Sequence, residues 1–143
     1  MKRVIVFLFS ILFLTACGGA NSELDQKLET LNKELLEGHD VVMPKSMKLP
    51  KVKASILELI KDLPEEDERL AKGRSIAFEL TKANDDMYNW MDNYANARLK
   101  TEDPNSQLEL YERLKEEIAS IGDHTNEAMQ KAEQFISENE AAE

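Results

Sequence analysis

The sequence predicts an all-α fold, an antiparallel three-helix bundle whose first helix is kinked by proline. Three observations carry that expectation. Apolar residues recur at three- and four-residue steps through three long segments, the spacing that lines one face of an α-helix. Glycine and proline number only five and four, too few for the turns of a β-rich fold. Capping residues or prolines stand where each periodic stretch begins.

The chain opens on a processing segment, residues 1–16. Lys2 and Arg3 precede a nearly unbroken apolar run from Val4 to Phe13. A bilayer core of ~30 Å needs ~20 apolar helical residues, so this run suits a signal peptide and not a transmembrane anchor. Leu14-Thr15-Ala16-Cys17 resembles the lipobox of bacterial lipoproteins. The resemblance implies cleavage before Cys17, acylation at that residue, and stable anchoring through two or more lipid chains. An ordinary secretory leader with a free cysteine is the alternative. Cys17 is the only cysteine, so no thiol remains for a disulfide, a zinc cluster or a nucleophile. Residues 17–21 are then the lipidated cysteine and a polar tether, Gly18 to Asn21, about 14 Å long when extended.

The helical domain is expected over residues 22–138. Ser22 and Asp25 resemble a capping box. Leu24, Leu28, Leu31, Leu35 and Val42 follow at helical steps, and Met43, Met47, Val52, Ile56, Leu59, Ile60 and Leu63 continue them past Pro44 and Pro50. Proline removes a backbone donor and kinks or ends a helix. With no polar connector between the halves, one bent helix over 22–62 is expected; a true turn would give a four-helix bundle instead. Pro64 with Glu65, Glu66 and Asp67 marks the next start. Leu70, Gly73, Ala77, Leu80, Met87, Met91 and Tyr94 form its stripe to about Arg98, with Asn84 as a polar interruption. Asp103-Pro104 is the last cap and first turn, followed by Tyr111, Leu114, Ile118, Ile121, Thr125, Ala128, Ala132 and Phe135. Residues 139–143 form an acidic tail expected to fray. Short connections make sequential helices antiparallel.

Of the 18 Lys and Arg, two lie in the leader, which leaves 16 against 28 Asp and Glu, a formal net charge of about −12. Such a surface repels phosphate backbones and argues against nucleic-acid binding. Membrane contact is expected through the lipid. The chain holds no G-x-S-x-G, Walker loop, H-E-x-x-H or Cys/His pair, which points away from an enzyme.

One cluster has chemical potential. His39, Met43 and Met47 are spaced i, i+4, i+8 on one helix face. Met87 and Met91 flank Trp90 on the next helix. Antiparallel packing pairs positions whose numbers sum to about 127, which brings His39, Met43, Met87 and Met91 within about a turn of one another. One imidazole with several thioethers is a soft donor set suited to Cu(I), and His/Met is also a haem axial pair. The competing reading is core packing, because methionine fills irregular space and sulfur packs well on aromatic rings. His124 on the last helix is expected near the level of Glu79 as a boundary residue.

Two stretches, His39-Asp40-Val41-Val42-Met43-Pro44-Lys45-Ser46-Met47 and Asp86-Met87-Tyr88-Asn89-Trp90-Met91, resemble short helical lipoproteins of Bacteroidota, some of which carry the label "viral A-type inclusion protein". Their recurring pieces are similar to H-D-x-x-M-P-K-x-M and D-x-M-x-x-W-M, which marks Asp40, Pro44, Met47 and Trp90 as motif or packing positions. Pro50 is an addition to that pattern. The group brings no activity or cofactor with it. Gly18 after Cys17 resembles the outer-membrane pattern of diderm lipoproteins. The expectation is therefore a non-enzymatic, lipid-anchored envelope protein that binds or scaffolds, through an envelope partner or self-association; the alternative is a copper- or haem-binding envelope protein using the His/Met cluster.

Overall fold

Helices with one apolar stripe each hide those stripes by lying side by side, and this chain does so. The computed structural model describes residues 19–140, with side chains from residue 23. Over that range it contains α1 (Gly19–Ser46), α2 (Leu49–Ile60), α3 (Glu68–Lys100) and α4 (Pro104–Glu140). Cys17 and the leader lie outside the described residues. No described helix is long and apolar enough to cross a membrane.

α1 and α2 are the two arms of one bent rod. The Met47 amide still donates to Met43 O at 3.0 Å, the Lys48 amide tightens onto Lys45 O at 2.9 Å, and helical bonding resumes from Lys48 O to Val52. Lys48 itself keeps helical dihedrals, φ −86° and ψ −23°. Pro50 causes the break, because it has no N–H for the carbonyl of Ser46 and its ring crowds that carbonyl. Pro44 sits inside α1 on an exposed face, where water can serve the carbonyl it leaves free.

Three expected boundaries move. α1 begins at Gly19, so Ser22 is an interior helical residue and most of the expected tether is helix. Extending a formed helix costs little when no breaker intervenes. α3 starts at Glu68 and not at Pro64: Asp67 is the N-cap, its carboxylate accepting from the Arg69 amide at 2.9 Å. Pro64 to Asp67 instead form a turn closed by the Asp67 amide on Pro64 O. α4 continues to Glu140, past the expected tail boundary at 139, where the Asn139 side-chain amide donates to Phe135 O at 2.7 Å. Its start is as expected, with Asp103 accepting from both the amide and the hydroxyl of Ser106.

Cross-helix bonds fix the topology. Tyr94 donates to Asn32 and Trp90 stacks with His39, so α1 and α3 are antiparallel. Lys72–Glu138 and Lys131–Glu79 ion pairs make α3 and α4 antiparallel. Lys115–Glu34 and Lys45–Asn126 make α1 and α4 parallel. This is the expected up-down-up order. α1 lies mainly along α4, whereas α2 swings onto α3, so the bend carries the rod across the α3–α4 hairpin.

The interior divides into two half-cores at the bend. One is built on Leu49, Ile56, Ile60, Leu70, Leu80 and Phe135, the other on Leu35, Val42, Met87, Trp90, Tyr111 and Leu114. Gly73 belongs to the first because α2 and α3 approach closely there: a Cβ at this position would lie 2.7 Å from Ile60 Cγ2 and 3.2 Å from Phe135 Cζ. Between the half-cores stand Ser46 and Thr125, both buried, with hydroxyls that find no hydrogen-bond partner.

Candidate functional site

The His/Met cluster forms around Trp90. Trp90 is fully buried because α3 turns it toward α4, where its Nε1–H donates to Leu114 O at 2.8 Å. Tyr94, one turn along, stacks on it with ring centroids 5.5 Å apart. His39 approaches from α1, its ring stacked over Trp90 at 6.3 Å. The pairing of His39 with Trp90 and of Asn32 with Tyr94 matches the register expected from the sequence.

His39 is half-buried, and the exposed Asp40 carboxylate accepts from its Nδ1 at 3.0 Å. In the neutral ring that bond places the proton on Nδ1 and leaves the lone pair on Nε2. Met87 is fully buried in the half-core, and Met43 and Met91 are partly buried against it. Met47 departs from the cluster: it stands at the bend, 67 % exposed, because α1 ends there and the stripe has drifted off the core face. Asp40 and Pro44 are exposed. Cys17 lies outside the described residues. His124 is level with Asp86, at 3.6 Å from its carboxylate, and not with Glu79, whose partner is Lys131.

The arrangement is a packed aromatic and thioether layer. Its inner members Met87 and Trp90 are closed from solvent, while the His39 ring, Met43, Met91 and Tyr94 are partly exposed. Among the described residues, no group of three or more His, Cys, Asp or Glu could hold a metal ion.

Shallow concavities follow the helix seams. A groove of about 470 Å³ runs between α1 and α4, lined by Gly38, Val41, Val42, Ile118, Ala119 and Gly122 and flanked by charged side chains. The sequence reading did not single it out. Its signal was present in the glycines at Gly38 and Gly122, which let α1 and α4 approach: a Cβ on Gly38 would lie 2.9 Å from Ile118 Cγ2, and one on Gly122 would lie 3.1 Å from Val42 Cγ2. No protein-family model, curated protein or solved structure matches this chain.

Proposed function

We propose that this protein is a non-enzymatic binding or scaffolding helical domain of a bacterial cell envelope, held to the outer membrane by lipid on Cys17. The observation that carries the binding role is the filling of the bundle. The one cluster with ligand chemistry is packed around Trp90, while the open features are elongated seams between helices. Seams of that form suit another helix or protein surface better than a small substrate, which is usually held in a deep concave site. The lipobox at Leu14 to Cys17 supports the anchored location, and the acidic surface argues for a protein partner and against nucleic acid.

A second reading has a specific observation behind it. Asp40 on Nδ1 of His39 is the carboxylate–histidine arrangement that orients a metal-binding imidazole, and Met43 and Met91 flank the same layer. That reading makes the domain a soft-metal or haem carrier. Titration of the purified chain from Gly18 onward with Cu(I), and separately with haem, distinguishes the two. Submicromolar binding that disappears in His39→Ala and in Met43→Leu overturns the scaffold reading. Absence of binding removes the carrier. Globomycin-sensitive processing and palmitate labelling lost in Cys17→Ser test the anchor.

A further inference from the structure

The outward face of α1 carries a charge pattern with its own symmetry. Glu34, Glu37 and Lys45 on α1, with Lys48 just past its end, stand seven and four residues either side of Val41, the spacing of one helix face. Val41 is 62 % exposed. Both acids precede it and both lysines follow it. Reversing the direction of the helix about Val41 therefore exchanges the sign of every charge. The other wall of the groove carries the opposite order on α4, where Lys115 stands four residues before the exposed Ala119 and Asp123 four residues after it.

A second observation concerns partners. Lys45, Lys48, Lys51 and Lys53 follow one another with no acid between Asp40 and Glu58. None of the four forms an ion pair among the described residues. Of the twelve other described Lys and Arg, ten do. In a chain of formal net charge −10, the bend presents lysines without carboxylates next to a self-complementary stripe.

We propose that this face pairs with a second copy of the chain about a two-fold axis through Val41. The two α1 helices run antiparallel. Glu37 of each copy meets Lys45 of the other, Glu34 approaches Lys48, and the valines seat over the groove floor at Gly38, Ala119 and Gly122. An isologous contact repeats each pair twice, so a self-complementary face is what such symmetry requires. Glu34 already holds Lys115 at 2.8 Å, whereas Glu37 has only the exposed Lys33 at 3.7 Å and Lys45 holds only the neutral Asn126 side chain at 2.8 Å, so the Glu37–Lys45 pairs carry the specificity. The stripe from Glu34 to Lys48 is about 21 Å long at 1.5 Å per residue. Two helices of that length bury on the order of 1,000 Å² in total, the small end of specific interfaces. The association is accordingly micromolar and weakened by salt. The proposal deepens the scaffold reading by naming the partner.

Charge swapping tests it. The chain from Gly18 onward serves, since both described half-cores and their packed flanks lie within residues 28–136. Sedimentation velocity across micromolar to submillimolar concentrations is expected to show a monomer–dimer equilibrium that shifts to monomer in high salt. Glu37→Lys and Lys45→Glu each place like charges together twice and weaken self-association by at least about tenfold. Mixing those two single variants restores a dimer, because each supplies what the other lacks. The double variant E37K/K45E dimerises with itself and not with the parent chain. Both substituted positions are exposed or half-exposed, and circular dichroism verifies that helicity is kept. A parent chain that stays monomeric at every concentration overturns the proposal while leaving a scaffold for a different partner standing. A dimer indifferent to the swaps, or single variants that fail to combine, overturns it as well.

Discussion

Replacing Met87 with alanine distinguishes a structural methionine from a ligand. The side chain is fully buried in the half-core shared with Trp90 and Leu114. The substitution deletes three heavy atoms and leaves a cavity that helices held by long flanking turns cannot collapse. Buried Met→Ala changes cost about 2–5 kcal/mol, and close packing against Trp90 places this one near 3 kcal/mol. With a urea m-value near 1.5 kcal/mol/M, the unfolding midpoint falls by about 2 M. Met47→Ala is the matched control: at 67 % exposure it moves stability by no more than about 0.5 kcal/mol. His39→Ala removes a half-exposed ring stacked on Trp90 and costs about 1 kcal/mol. Urea titrations followed by circular dichroism and by tryptophan emission provide the assay. Trp90 is the only tryptophan, so its emission reports this layer alone. A Met87→Ala variant within 1 kcal/mol of the parent, with emission unmoved, refutes the core assignment.

Other substitutions test other joints of the fold. Gly73→Ala gains about 1 kcal/mol of helix propensity, yet its Cβ would lie 2.7 Å from Ile60 and 3.2 Å from Phe135, both buried. Overpacking wins, and a net loss of about 1–2 kcal/mol is expected in the urea midpoint. Thr125→Val removes a buried hydroxyl that has no partner while keeping its shape, so a gain of about 1 kcal/mol is expected; a loss shows that the hydroxyl holds something. On acidification, the carboxylates of Asp67 and Asp103 sit below their ordinary value of 3.8 because Arg69 and Ser106 respectively donate to them. Their folded-state pKa is depressed, so their contribution is complete above that value and is lost as pH falls through the lower folded one. Urea midpoints measured from pH 7 to pH 2 should fall at the acid end, and less steeply in Asp103→Asn.

How far the sequence speaks depends on how each helix is surrounded. On α4, seven of the predicted stripe positions are buried, Tyr111 through Phe135, all at the three- and four-residue steps of one helical period. On α3 the expected Asn84 and Met91 give way to Ala83 and Trp90, and Ile76 and Ala97 join them. Its buried set includes the adjacent Ile76 and Ala77, so its buried arc is wider than one stripe, and a period alone cannot choose its edges. The start at Glu68 was missed for a different reason: Pro64 and Asp67 are both legitimate start signals, and the Arg69 fork on Asp67 that favours the later one depends on side-chain geometry. The His/Met layer was legible because the turn between α2 and α3 is short enough to set the register. Its closure was not, because exposure depends on how deep Trp90 sits.

If the chain is anchored and paired as proposed, the same lengths decide how it is oriented. Val41 stands 22 residues after Gly19, about 33 Å at 1.5 Å per residue. Antiparallel pairing through Val41 therefore sets the two α1 starts about 66 Å apart, each directly after its Cys17 and Gly18. Such a pair reaches one bilayer with both anchors only when its long axis lies along the surface; standing upright, it joins two bilayers. A micromolar contact needs concentration, and confinement of both anchors to one membrane supplies an effective concentration up to the millimolar range, whereas two separate membranes supply none. The flat pair within one bilayer is the arrangement this contact can populate. Lipidated full-length protein in phosphatidylcholine vesicles should then cross-link at Val41→Cys without clustering the vesicles. Clustering that Glu37→Lys abolishes would show the upright pair and refute the flat one.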